Sequence, residues 1–245
     1  RVRRELQNAC QGLARVLVIA QTANALAFTF KEMPMVFSHK CVVFPLDSFA
    51  SFAALQNRSH HDWSRFFGST MKDDSVYTPS DCFDTFPFPE HFETLPTLEK
   101  AGQKYYDFRA QLMVNHNEGL TRIYNRFHDP NETSPDIFRL RELHAAMDRA
   151  VLDAYGWTDL KPTCEFLLDY EDEEEDEEAA NSSARSRKKP WRYRWPDEFR
   201  DEVLARLLAL NAKRAEEERL AGAALDKPKK LPAKRKKPDE GPSMF

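Results

Sequence analysis

Glycine is scarce in this chain, with seven residues in 245 and no Gly-x-Gly among them. A glycine-rich turn is what lets a backbone close on AdoMet or a dinucleotide, so that cofactor chemistry is excluded from these residues. No Pro-Pro pair occurs either, which removes the polar-Pro-Pro-aromatic loop that holds a flipped amino group during base methylation. A phosphate-binding Walker loop, a Gly-x-Ser-x-Gly elbow and a His-Glu-x-x-His zinc helix are likewise missing. The four cysteines, Cys10, Cys41, Cys82 and Cys164, are far apart and form no Cys-x-x-Cys pair. Neither a zinc site nor a disulfide framework is indicated, and a reducing cytoplasm fits. No apolar run is long enough to cross a bilayer, so a soluble chain with no membrane partner is expected. The chain opens at Arg1 without an initiator Met. Arg1 to Arg4 followed by Ala14 to Ala20 imitates a signal peptide weakly, without its cleavage site, so a start inside a folded domain is expected.

Charge of neither sign dominates, the formal net value being −4, but it is segregated. The run from Asp169 to Glu178 is almost wholly acidic, and the stretch from Lys227 to Lys237 is strongly basic. A net value near zero argues against nucleic acid, whereas this local distribution does not.

The apolar pattern predicts an α+β chain. A small strand-rich N-terminal part is followed by a helical C-terminal part with a disordered acidic insertion and a basic tail. Strands are expected within residues 15–46, at Val16 to Ala20, Leu26 to Phe30, Val36-Phe37 and Cys41 to Phe44. Asp47 or Ser48 can cap a helix running from Phe49 to Phe67, which Gly68 ends. Residues 69–96, with Pro79, Pro87, Pro89 and Pro96, read as irregular, with Phe83 to Phe88 packed as a rigid apolar strap. Helices follow at about Leu98 to Val114 and about Ile137 to Tyr155, the latter started by Ser134-Pro135 and stopped by Gly156. A last helix spans about Asp197 to Ala221. The expected organisation is 1–96, 97–168 (helical), 169–190 (disordered insertion), 191–225 (C-terminal helix) and 226–245 (flexible tail).

Few residues suggest catalysis. Asp197, Glu198, Asp201 and Glu202 cluster, but no Glu-x-Lys partner follows, and carboxylates in a first helical turn are explained by the helix dipole. His60-His61-Asp62-Trp63 reads as a packed aromatic face with a hydrogen-bonded histidine, and His144 with Asp148 as an i, i+4 polar pair. No catalytic, cofactor or metal residue is assigned. The basic segment is more suggestive: Arg185, Arg187, Lys188, Lys189, Arg192 and Arg194 surround Trp191, Tyr193 and Trp195. Cations interleaved with aromatics suit a nucleic-acid backbone and unstacked bases. The same aromatics can equally dock the chain back onto its core after the insertion. In Asn117 to His128, polar groups suit capping and loop closure or phosphate contact.

Several strings go further together. Leu55-Gln56-Asn57-Arg58-Ser59-His60 with Trp63 is followed by Tyr77-Thr78-Pro79-Ser80-Asp81-Cys82-Phe83-Asp84-Thr85-Phe86-Pro87-Phe88-Pro89. Then come Asn117-Glu118-Gly119-Leu120-Thr121 and Tyr124-Asn125-Arg126-Phe127-His128-Asp129-Pro130. Leu140-Arg141-Glu142-Leu143-His144, Met147-Asp148 and Ala154-Tyr155-Gly156-Trp157 complete the set. In this order they resemble the C-terminal region of large bacterial restriction–modification methylases, the type IIG-like enzymes and the adenine methylases of DISARM-type phage defence. The resemblance spans about residues 15–160 and returns at Leu204 to Glu218. It departs at Asn57, where Ser is expected.

The resemblance implies a parent that methylates adenine N6 in DNA from AdoMet, with its core upstream of Arg1. Residues 1–96, and 15–90 in particular, would be the end of a target-recognition domain, and 97–160 a helical support. Double-stranded DNA is the implied partner, contacted by Arg58, His60, Asn125, Arg126, Arg185, Arg187, Lys188, Lys189, Arg192 and Arg194. The alternative is a non-enzymatic scaffold that binds other subunits of a restriction or defence complex. A separate nuclease is disfavoured by the missing carboxylate–Lys set. The terminal Pro242-Ser243-Met244-Phe245 resembles sliding-clamp docking peptides without their leading Gln.

Overall fold

The apolar run at the start of the chain is buried on both faces, and that places it at the centre of a small sheet. In the computed structural model, which describes residues 2–23, 25–71, 74–168 and 191–225, the run forms strand β1 (Arg15–Ala20). Helix α1 (Val2–Ala9) precedes it. β1 lies between β3 (Thr29–Glu32) and β4 (Cys41–Phe44), antiparallel to both, with Leu17 opposite Phe30 on one side and Phe44 on the other. Its side chains alternate, as the pleat requires. Leu17 and Ile19 enter the main core, while Val16 and Val18 enter a smaller cluster with Cys10. A second sheet joins β2 (Thr22–Ala23), β6 (Asp74–Val76) and β5 (Ser69–Met71) in that order. Residues 26–28 and 36–37, expected as strand, are not strand: Phe28 is buried, but its N–H goes to the Gln56 side chain instead of a neighbouring strand.

One helix was expected over 49–67, and two form. Helix α2 (Phe49–Gln56) is capped by Ser48, whose Oγ accepts from Ser51 N at 3.0 Å. The chain then breaks at Asn57, whose backbone is extended. Its Nδ2 donates to the carbonyls of Ala53 and Ala54, and its Oδ1 accepts from His60 N at 3.3 Å. One amide therefore closes α2 and caps α3 (Arg58–Phe67). A serine hydroxyl has no second donor with which to serve both carbonyls.

After the short helix α4 (Pro79–Cys82) and a 3₁₀ turn at Phe92–Thr94, α5 (Pro96–His116) runs along α2. A Cβ on Gly102 would stand 2.1 Å from the Phe49 carbonyl oxygen, so only glycine permits this approach. Glu99 accepts the free N–H of Ala50 at 2.7 Å across the same seam. Within 117–128, whose polar groups suit capping and loop closure or phosphate contact, residues 120–128 form helix α6 (Leu120–His128), which buries Ile123, Tyr124 and Phe127. Helix α7 (Pro135–Ala154) then packs against α5, burying Leu140, Met147 and Val151.

Strands β7 (Glu165–Leu168) and β8 (Trp191–Arg194) pair antiparallel, with Leu168 opposite Trp191. The long helix α8 (Asp197–Leu225) follows. It forms a second core in which Val203, Leu204 and Leu207 meet Trp63, Phe86 and Leu152. Asn211 and Arg214 of α8 donate to the carbonyls of Thr85 and Phe88, so the 83–88 strap is held from both sides. The architecture is thus α+β, strand-rich first and helical after. The expected insertion at 169–190 and tail at 226–245 lie outside the described residues. No described helix is long and apolar enough to cross a membrane.

Candidate functional site

The residues of α3 divide by helical spacing. Arg58, His61, Asp62 and Arg65, at i, i+3, i+4 and i+7, share one face and line a cleft. His60 lies on another face, fully buried between Phe28, Tyr77 and Phe86. Its Nε2 is 3.0 Å from the Tyr77 hydroxyl, and burial pushes its pKa down to about 3. The cleft is completed by Tyr124, Phe127 and His128 from α6, His144 from α7, and Arg192, Tyr193 and Arg194 from β8.

Its floor is built on Arg58, which is 6% exposed. The Arg58 guanidinium is ion-paired through Nη1 with Asp148 Oδ2. The same nitrogen lies 2.7 Å from His144 Nδ1, and Nη2 donates to the Tyr193 carbonyl at 3.3 Å. Asp148 Oδ1 also accepts the Arg58 backbone N–H at 2.9 Å, which is the first free N–H of α3. Burial would raise the Asp148 carboxyl, but His144 and Arg58 outweigh it and hold its pKa below the usual range. Burial lowers His144, and the Arg58 charge acts in the same direction, against the pull of Asp148. Tyr193 N–H donates to His128 Nδ1 at 3.1 Å. Burial, then the charges of Arg192 and Arg58, push His128 well below the ordinary histidine value. Arg141 fixes the end of α6 by donating to the carbonyls of Phe127, Arg126 and Asp129.

The cleft is therefore lined by Arg58, Arg65, Arg192, Arg194, His61, His128 and His144 against a single carboxylate, Asp62, which pairs with His61 at 3.1 Å. Such a lining offers donors and positive potential to an anionic, acceptor-rich group. It brings together Arg58, Arg192 and Arg194 of the sequence-derived set. Asn125 is exposed on α6, outside the lining. Arg126 is engaged by Glu132 at 2.6 Å and Glu118 at 3.0 Å. Arg185, Arg187, Lys188 and Lys189 lie outside the described residues. His61, Arg65 and His144 were not singled out as ligand-facing, and His128 was read only within a polar string that suits capping, loop closure or phosphate contact. The i, i+3, i+7 spacing of Arg58, His61 and Arg65 was the available signal for two of them. No group of three His, Cys, Asp or Glu side chains suited to a metal occurs among the described residues.

No family model matches this chain, and no curated protein matches it. Among solved structures it is similar to the type IIL restriction–modification enzyme MmeI, in a structure of that enzyme in complex with DNA, with a TM-score of 0.49 and 23% identity. The similarity covers 60% of this chain and 19% of that one, so the chain corresponds to a small part of that enzyme's length.

Proposed function

We propose that the cleft contacts the backbone of double-stranded DNA. We further propose that the chain is the DNA-recognition and helical C-terminal part of an adenine-specific DNA methyltransferase or restriction–modification enzyme. The observation that carries the first statement is the cleft lining, where arginines and histidines from α3, α6, α7 and β8 converge with one carboxylate among them. A phosphate backbone is an array of anionic acceptors, and arginine supplies only donors and charge. The motif strings support the second statement. In this reading Arg65 and Arg192 contact phosphates and set register, while Arg194, paired with Asp197 at 2.6 Å, holds the end of β8. Arg58 holds β8 in place, Asn125 reaches the groove from the exposed side of α6, and the cations at 185–189 extend the track. AdoMet chemistry belongs to a core outside these residues.

Fluorescence anisotropy of a labelled duplex with the full chain, at several salt concentrations, tests the cleft. The logarithm of affinity should fall with the logarithm of salt by about 0.9 per phosphate neutralised. Arg192→Ala should reduce that slope by about one. Absence of salt-dependent binding would sink the DNA reading. The methylase reading is tested upstream of Arg1 in the source DNA. An in-frame glycine-rich turn and an Asn-Pro-Pro-Tyr-type loop would support it, and a stop codon there would end it.

A second reading, a partner-binding scaffold of a phage-defence complex, is favoured by an open apolar groove of about 610 Å³ beside α1. Met33, Phe37 and Cys10 line it, and Met35 and Val36 on its rim are 47% and 86% exposed. Co-purification with a helicase or nuclease subunit, without DNA affinity, would select it.

A further inference from the structure

Of the three aromatics that the basic segment interleaves, packing accounts for two. Trp195 is 1% exposed and sits in the second core, its ring 5.1 Å from that of Phe199. Tyr193 packs against Phe127 and Phe166, with ring centroids 5.8 and 4.9 Å away, and the Arg141 guanidinium lies 5.3 Å from its ring. Trp191 is left 46% exposed. The strand register gives the reason. Phe166 stands opposite Tyr193 and Leu168 opposite Trp191, so alternation sets these four on one face of the ladder and Arg192 and Arg194 on the other. The Phe166–Tyr193 rung is covered from α6 by Phe127 and from α7 by Arg141, 4.9 Å from the Phe166 ring. The Leu168–Trp191 rung is the next one out, and Leu168 is 50% exposed beside its partner.

A rung of two side chains is far too small for a protein partner, since a stable interface buries about 800 Å² on each side. It matches a single flat ring. The surroundings set the chemistry of that ring. Arg192, which lines the cleft, is one strand step of about 3.3 Å from Trp191. Tyr193 lines the cleft as well, with its carbonyl bonded by Arg58 and its N–H by His128. An anionic strand held along the cleft at Arg192 therefore has Trp191 beside it. A cationic groove flanked by an exposed aromatic is the combination that holds an unpaired nucleotide, by charge on the backbone and by stacking on the base. Inside a duplex the faces of a base are covered by its neighbours, so the indole is open only to a base that has left the stack.

We infer that Trp191, with Leu168 beside it, is a stacking site for one unpaired nucleobase of the strand whose phosphates the cleft holds. The inference deepens the DNA reading of the cleft and rests on it for the strand. The indole adds contact area and no charge, which separates it from the arginines. An uncharged group releases no counterion, so it acts on affinity and leaves the salt slope alone.

Two probes test this on the full chain, a blunt duplex and the same duplex carrying a short oligothymidine overhang, followed by anisotropy and by tryptophan fluorescence. The overhang should raise affinity about tenfold and quench the tryptophan emission. Trp191→Ala should abolish both the gain and the quenching, while blunt-duplex affinity and the salt slope stay as in the parent. Trp191→Phe, which keeps a stacking ring, should retain the gain and lose the quenching, which assigns the signal to this residue. A parent that binds both probes equally, or a Trp191→Ala chain that keeps the gain, would overturn the stacking site and leave the DNA reading standing. Quenching by oligothymidine alone that Trp191→Ala removes, in a chain that binds no blunt duplex, would keep the site and remove duplex DNA as the source of the base. Binding of neither probe would overturn both readings. Should Trp191→Ala fail to fold, the two probes compared on the parent and on Trp191→Phe decide.

Discussion

Arg58, Arg109 and Arg141 are the buried arginines among the described residues, and the surroundings of the first two differ. Arg109 on α5, 2% exposed, donates to the Phe28 carbonyl at 2.6 Å, the Tyr124 hydroxyl at 2.9 Å and the Gln56 side chain at 3.3 Å. The rings of Phe52, Tyr105 and Tyr106 surround it, and no carboxylate pairs with it among the described residues. Arg58 instead pairs with a carboxylate, and its bonds lead outward. Asp148 and His144 lie on one side, the Tyr193 carbonyl on the other, and Tyr193 N–H passes to His128. The Arg109 node closes on itself and glues α2, α5, α6 and the segment at Phe28 together. The Arg58 node ends on two histidines, His128 and His144, that line a cleft. The same residue type serves cohesion in one place and presentation in the other. What separates them is whether the last partner faces protein or solvent.

The largest expected effect comes from breaking the charged pair on one side only. Asp148→Ala leaves the Arg58 cation buried without its counter-charge and the first N–H of α3 unpaired. It should destabilise the chain by about 3–5 kcal/mol in urea unfolding. Arg109→Met removes a cation along with its burial cost and leaves only neutral acceptors unpaired. Its loss should be smaller, about 1–3 kcal/mol. An equal or greater loss at Arg109 would erase the distinction between the nodes.

These nodes also show what could be read from the chain. Helix α7 was legible because Ile137, Leu140, Met147 and Val151 recur at helical spacing and all are buried. The centre of the sheet was legible as an unbroken apolar run, and so was a cap at Asp47 or Ser48, of which Ser48 serves. The break at Asn57 was not, because its cause is one side chain bonding in both directions, which leaves no trace in apolar periodicity. Helix α6 was hidden by its narrow buried face, formed by Ile123, Tyr124 and Phe127, with polar residues elsewhere. One face of the cleft was readable from α3 spacing. Its floor was not, since Arg58 meets Asp148 across 90 positions and Tyr193 across 135. Pairings that distant follow from packing, and no local pattern encodes them.

Acid should separate the two regions next. His60, His128 and His144 are each depressed below the ordinary value of 6.5 by burial. Once the pH falls below that value, the unfolded chain takes up protons that the folded chain refuses. Stability is therefore full above pH 6.5 and declines below it, by about 1.4 kcal/mol per pH unit for each histidine. Two of the three belong to the Arg58 node, and no histidine bonds to Arg109. Hydrogen exchange at about pH 5 should show β8 and the end of α6 losing protection before the α2–α5 seam. Stability that stays flat from neutrality to that pH would mean the histidines are not held neutral.

The smallest effect should come from Arg126, a sequence-derived candidate outside the cleft lining whose guanidinium the fold has given two carboxylate partners. Its guanidinium lies between Glu118 and Glu132, and its hydrogen bond, first among the causes, pulls Glu132 down to about 2. The side chain is 24% exposed, so solvent screens the pair, and Arg126→Ala should cost about 1 kcal/mol or less. With its charge already balanced, it has little to offer a phosphate. Duplex affinity should change by no more than about twofold on Arg126→Ala, whereas Arg192→Ala should lower the salt slope by about one. A slope that falls equally for both would mean that the two glutamates release Arg126 when DNA arrives, and would extend the contact surface from the cleft onto α6.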